Sequence, residues 1–202
     1  MRVIVPFDVS TPKTSLADVL TPSEREAFAR ASLTDVLDAL TTAGHEPTVL
    51  STAPIDLDWP VHVDERALTP AVNARLATAD GPIAIVMADL TLATAAAIKR
   101  LTAPDTDIVF APGRGGGTNA IVVRHPEFRV DYHGVSIRDH REIAADLNAS
   151  VTEVDSYRLS TDIDTPADLA EVLLHTDGTA ATWLRDHGFA VRADGGATVV
   201  RS

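Results

Sequence analysis

The spacing of apolar residues changes period repeatedly along this chain. "RVIVPF" (2–7) is a short apolar run that reads as a buried strand, and the polar stretch "DVSTPKTSLADVL" (8–20) reads as a long loop. A helix follows: Thr21 suits the N-cap, Pro22 the first helical position and Glu24 the third residue of a capping box. Phe28, Val36, Leu37 and Leu40 recur at helical spacing, and Gly44 suits the stop. "PTVLST" (47–52) is the next strand, "TPAVNARLATAD" (69–80) a helix and "IAIVMADL" (83–90) a strongly apolar strand. "TAAAIKRLTA" (94–103) is helical, and "DIVFAP" (107–112) and "AIVVR" (120–124) are strands on either side of a glycine run. "SIRDHREIAADLNA" (136–149) is a helix, "SVTEVDS" (150–156) a strand, and "TPADLAEVLLHT" (165–176) a helix with Thr165 as cap, Pro166 first and Asp168 third.

Strands alternating with helices predict one α/β domain over 1–202, three-layer α/β/α with a mostly parallel sheet. The tail, 177–202, predicts a short helix and a hairpin turning at "DGG", an appendage suited to a homodimer contact. Only 4% of residues are aromatic, so the core must be built from Ala, Val, Leu and Ile. No run reaches the roughly 20 apolar residues of a membrane helix, and the first residues lack a signal-peptide pattern; the expectation is a cytoplasmic protein without a membrane partner. Without cysteine, disulfides, thiolate catalysis and cysteine zinc sites are excluded. A net charge of −12 argues against a nucleic-acid partner, which needs a basic face. Two lysines stand against fifteen arginines, and an acidic, lysine-poor chain has the look of adaptation to high salt.

Five features are candidates for chemistry. Asp89 lies past a buried strand at its carboxyl end, the edge where open α/β sheets bind ligands. The alternative is a plain strand-end cap. Asp162 and Asp164 in "STDIDTPADL" are two apart and project to one side of an extended segment. Such a pair either holds a cation, for which Mg²⁺ suits carboxylate oxygens, or decorates the start of the next helix. Lys13 is either kept for a phosphate or merely solvated. The run "APGRGGGTNAIVV" (111–123) is neither a Walker loop nor G-x-G-x-x-G, since no lysine follows and a strand comes next. It leaves Gly115, Gly116 and Gly117 as backbone a ligand can approach, flanked by Arg114, Thr118 and Asn119. Gly134 and Ser136 open a helix, where free N–H groups attract anions. His133 and His140 are either ligands or bases or simply solvated, and solvation is the expectation.

In order, "VIVPF", "PKTSLADVLTPSEREAFARASLTDVL", "IVMADLTL", "DIVFAPGRGGGTNAIVV", "YHGVSIRDH" and "STDIDTPADL" resemble the 2-phospho-L-lactate guanylyltransferases of coenzyme F420 biosynthesis. The resemblance implies a GT-A-like nucleotidyltransferase fold, GTP and a small phosphorylated carboxylic acid as substrates, and pyrophosphate release. It implies Mg²⁺ on Asp89, Asp162 and Asp164, and acceptor contacts from Lys13, Thr118 and Ser136. The chain departs from the family at Phe7 and Asp8, where a basic residue is common, and at Ser15 (often Arg), Thr91 (often Pro) and His133 (often Gly). An acceptor phosphate is ionised near neutral pH, so no general base is needed, which agrees with the lack of a nucleophile triad. The rival readings are the same fold acting on phosphoenolpyruvate, 3-phosphoglycerate or a sugar phosphate, a nucleotide-sugar glycosyltransferase, and a nucleotide-binding protein without turnover.

Overall fold

The computed structural model describes residues 1–10, 13–193 and 197–201. Its elements are β1 (Arg2–Phe7), α1 (Pro22–Thr42), β2 (Glu46–Ser51), β3 (Val61–Val63), α2 (Leu68–Ala77), β4 (Ile83–Val86), α3 (Ala95–Thr102) and β5 (Ile108–Pro112). Then come β6 (Thr118–Val123), α4 (Ser136–Asp146), β7 (Val151–Glu153), α5 (Tyr157–Ser160), α6 (Asp168–His175), α7 (Thr179–Asp186), β8 (Phe189–Arg192) and β9 (Thr198–Arg201). A 3₁₀ turn covers Thr14–Leu16.

Seven strands form one sheet in the order β3-β2-β1-β4-β6-β5-β7. Only β6 runs antiparallel to its neighbours; the other pairs are parallel. The three-layer, mostly parallel α/β expectation therefore holds. Both sheet faces are covered, which is why the strands read as continuous apolar runs. Val3, Val5 and Phe7 pack with α1 and α3 on one face. Ile4 packs with α2 and α4 on the other.

The α1 start matches its sequence pattern fully: Thr21 accepts from the Glu24 N–H, and the Glu24 carboxylate accepts from the Thr21 N–H. Two expectations need correction, and two short elements add to the expected set. The strand expected over 83–90 ends at Val86, which leaves Asp89 past the strand's carboxyl end, where it was placed. The helix expected to start at Pro166 starts at Asp168, with Ala167 rather than Thr165 at the N-cap. Asp168 instead reaches back and accepts from the Thr165 N–H at 2.8 Å. Strand β3 and the one-turn helix α5 were not predicted, because three and four residues are too few to show a period. The "DGG" turn, 194–196, lies outside the described residues.

The tail elements pack on the body rather than standing off it. Leu184 and Phe189 share an apolar cluster with Leu16, Leu20 and Phe28. Asp35 on α1 accepts from the N–H groups of Thr179 (2.6 Å) and Ala180 (3.0 Å), satisfying the first turn of α7 from outside. No helix among the described residues is long and apolar enough to cross a membrane.

Candidate active site

The carboxyl ends of β1 and β4 and the segment before α6 meet at one point. The Lys13 ammonium lies 3.1 Å from Asp89 Oδ2 and 3.0 Å from Asp164 Oδ1. These partners are 76 and 151 residues away in sequence. Only 9% of the Lys13 side chain is exposed. Burial alone would push the ammonium down, but Asp89 and Asp164 outweigh it and hold the Lys13 pKa above its ordinary value. The Lys13 backbone has φ +53°, a left-handed conformation rare outside glycine. Lys13 is therefore no solvated lysine; it is an integral member of the cluster.

Asp162 completes the acidic group. Its Oδ1 accepts from Asn119 Nδ2 at 3.4 Å, and that amide also donates to the Leu159 carbonyl at 3.1 Å. Burial raises the Asp162 pKa, and the charges of Asp89 and Asp164 raise it further. Two carboxylates thus pair with the Lys13 ammonium while the third, Asp162, lies close enough to feel their charge, a surplus of negative charge. Among the described residues no three side chains of metal-binding type converge on a single preformed point.

The glycine run is the loop of the β5–β6 hairpin, and its residues have different functions. A Cβ on Gly113 would lie 2.4 Å from Asn119 Oδ1, and one on Gly116, at φ +83°, 2.7 Å from Val135 Cγ1. A Cβ on Gly115 would meet nothing within 4 Å, and one on Gly117 only makes ordinary contact. Gly113 and Gly116 are thus demanded by packing and backbone, while Gly115 leaves open space. Gly134 also has a positive φ, +47°. Arg114 points across the site: its Nη2 donates to Asp168 Oδ1 at 2.7 Å. The other Asp168 oxygen accepts from the N–H of Thr165 (2.8 Å), its hydroxyl (2.7 Å) and the N–H of Asp164 (3.3 Å). Asp168 thereby fastens the aspartate segment to the glycine loop.

Between Ala111 and Pro112 the β5–β6 pairing jumps from Ala120 to Thr118. The extra residue, Asn119, is a bulge, which breaks the alternation of faces. Strict alternation would put Thr118 on the side of Ala120 and Val122, against α1 and α3. The bulge turns it to α4 instead. There Thr118 N–H donates to Ser136 Oγ (3.1 Å) and Ser136 Oγ–H donates to Thr118 Oγ1 (3.3 Å). His140 Nδ1 is 2.7 Å from Thr118 Oγ1, and its Nε2 accepts from the Asp131 N–H at 2.9 Å. Since Nε2 accepts, the proton sits on Nδ1 and is given to Thr118. His140 is fully buried, correcting the expectation that it is solvated. Burial brings its pKa down to about 4. His133 is exposed as expected, paired with Asp131 at 3.0 Å.

Lys13, Asp89, Asp162, Asp164 and Asn119 are thus brought together, and Arg114 joins through Asp168. Thr118, Ser136, Gly116 and Gly134 form a separate group at the start of α4. Sequence reasoning missed the bridging role of Asp168 and the burial of His140. The only signal for Asp168 was its place three residues after Thr165. A cavity of about 420 Å³ beside Lys13 is lined by Phe7, Asp8, Asp89 and Asp164. A larger one, about 790 Å³, lies between α1 and α7 away from this chemistry.

A family model described as "Guanylyl transferase CofC like" matches residues 1–201. Two relatives called 2-phospho-L-lactate guanylyltransferase are each 63% identical. The one from Haloarcula marismortui aligns with 97% of this chain and 96% of its own length; the one from Halomicrobium mukohataei covers 100% of both. Among solved structures, a protein of Desulfovibrio desulfuricans G20 described as a nucleotide-diphospho-sugar transferase aligns at TM-score 0.72 and 15% identity, covering 92% of this chain and 94% of its own. A nucleotidyl transferase of Methanothermobacter aligns at 0.59 and 13%, covering 92% and 98%. At such identities these two speak for the fold alone.

Proposed function

The chain belongs to the CofC-like guanylyl transferase family, and from that premise we propose that it joins GTP to 2-phospho-L-lactate, giving lactyl-2-diphospho-5′-guanosine and pyrophosphate in coenzyme F420 biosynthesis. The observation that carries this reading is the cluster of Lys13 with Asp89 and Asp164, Asp162 beside it, at the strand ends of a chain matching the family over 1–201.

A phosphate oxygen of the acceptor attacks the α-phosphorus of GTP, the bond to the β-phosphate bridging oxygen breaks, and pyrophosphate leaves. The acceptor phosphate loses its second proton at about pH 6, so the nucleophile is already an anion. What the chain supplies is position and charge. Asp89, Asp162 and Asp164 supply the hard oxygen donors that Mg²⁺ takes, and the negative charge they gather suits a divalent cation, although the three do not converge on one preformed point. Mg²⁺ held by these three would neutralise phosphate charge. Lys13 adds the one buried ammonium at the site, the cation available to a substrate phosphate. Arg114 acts indirectly, through Asp168, by holding the Asp162–Asp164 segment in place. Thr118, Ser136 and Gly134 form the acceptor side, with open backbone at Gly115.

The test is pyrophosphate release in molar KCl with Mg²⁺, using GTP, ATP, CTP and UTP against 2-phospho-L-lactate, phosphoenolpyruvate and 3-phosphoglycerate. GTP with 2-phospho-L-lactate should give the highest kcat/KM. Release no faster than in protein-free controls would refute the reading, and a preference for another acceptor would replace the substrate.

A further inference from the structure

A second cavity of about 310 Å³ adjoins the one beside Lys13. The two share Pro6, Phe7, Asp8 and Met87 as lining, so they are lobes of one cleft along the strand ends. The Lys13 lobe carries the charges. The second lobe lies over the ends of β1, β2 and β3, and Pro6, Phe7, Leu50, Ala71 and Met87 give it an apolar lining. That is the division a nucleotide requires, with phosphates at the charged end and a flat base on the apolar floor. The glycine loop and the start of α4 lie on the other side of Asp89, towards β6 and β5, which leaves the second lobe to the nucleotide.

Two carboxylates rim this lobe in contrasting states. Asp64 is fully engaged by Arg66, whose Nε and Nη2 donate to its two oxygens at 2.8 and 2.5 Å. Asp8 is half engaged. Its Oδ1 accepts from the Ser10 N–H (2.9 Å), the Ser10 hydroxyl (2.6 Å) and the Thr52 hydroxyl (3.0 Å). Its Oδ2 has no hydrogen-bond partner among the described residues. Three donors on one oxygen fix the carboxylate and leave the other oxygen as an exposed acceptor at the junction of the lobes.

Building on the GTP reading above, we propose that the second lobe holds the guanine base and that Asp8 selects it, Oδ2 accepting from the N1–H and 2-amino edge. Adenine presents a lone pair at N1 where guanine presents a proton, so an acceptor in this position repels it. Xanthine has a carbonyl where guanine has the 2-amino group and is repelled too. Asp8 is thus a specificity residue for the nucleotide.

The experiment measures equilibrium binding of GTP, ATP and XTP to the wild type, Asp8→Asn and Asp8→Ala by calorimetry in molar KCl, with pyrophosphate release run in parallel. Asp8→Asn keeps an oxygen for Ser10 and Thr52 and presents an amide donor in place of Oδ2. The GTP-to-XTP affinity ratio should fall about a hundredfold in Asp8→Asn, and the GTP-to-ATP ratio about tenfold in Asp8→Ala, the range a hydrogen bond to a charged partner commands. A merely structural Asp8 would weaken all three nucleotides together. Ratios within about twofold of wild type in both variants would overturn the proposal. Because the readout is binding, it also separates the two claims. Tight, Asp8-dependent GTP binding without pyrophosphate release would overturn the proposed reaction and leave the base lobe standing.

Discussion

Replacing Asp168 with alanine tests whether the aspartate segment is fastened by hydrogen bonds or by charge. The Asp168 side chain is 12% exposed, and its partner Arg114 is 49% exposed. Removing the carboxylate strands the Thr165 N–H and hydroxyl, the Asp164 N–H and the Arg114 guanidinium. The guanidinium is half in water and rehydrates at little cost, and Thr165 and Asp164 are themselves partly wetted. An unsatisfied buried donor costs about 1–3 kcal/mol, so the sum after rehydration is about 2–3 kcal/mol. Arg114→Ala removes only the half-exposed ion pair, worth about 0.5–1 kcal/mol. Urea unfolding of both variants and the double variant, in one fixed KCl concentration, gives these energies and their coupling. Turnover should fall in both, by about tenfold or more in Asp168→Ala, because Asp162 and Asp164 lose their fixed geometry. If Arg114→Ala destabilises as much as Asp168→Ala, the ion pair is the fastener and the hydrogen-bond argument fails. Full turnover in Asp168→Ala would show that the segment holds itself.

Other outcomes are expected. Lys13→Met should keep the fold yet raise the KM of a phosphorylated substrate or cut kcat at least about tenfold, the range for a charge placed at a reacting group; wild-type kinetics would return Lys13 to a structural pairing. Gly116→Ala should cost about 1–2 kcal/mol, since φ is +83° and Val135 stands in the way, whereas Gly115→Ala should cost under about 0.5 kcal/mol; equal urea midpoints would contradict the difference. His140 gives a pH signature. Its folded pKa of about 4 lies below its ordinary value of 6.5, so the unfolded chain binds the extra proton between them. Its stabilising contribution is complete above pH 6.5 and falls as pH drops towards 4, by about 3 kcal/mol at most. The charges facing it are Asp139, Asp131 and His133. The Tm of His140→Gln should decline less steeply than that of wild type over this window, and parallel declines would count against the assignment.

Much of the fold was legible because its signals are local. The Thr21 and Glu24 reciprocal cap, the apolar run of β1 and the period of α1 each act within a few residues. The apolar run at 83–90 overstates the strand because "MADL" continues it after the ladder has ended at Val86. The three aspartates were picked out by strand position and spacing. What joins them was not legible, since Lys13 meets partners 76 and 151 residues away. Nor does a period-2 reading foresee that Asn119 forms a bulge, which sends Thr118 to α4 and Asn119 to Asp162. His140 looked like a polar residue on a wet helix. Its burial follows from the Thr118 hydroxyl and the Asp131 N–H that satisfy it, both supplied by other parts of the chain.

Surface connections usually drift in length without harm, because little depends on their count. The β5–β6 connection lacks that freedom. A deletion between Gly113 and Asn119 that is taken up by the ladder would erase the extra position and return the next side chains to strict alternation. The hydroxyl now serving α4 and the amide now serving Asp162 would then exchange faces of the sheet together, so both halves of the cleft would fail from a single missing residue.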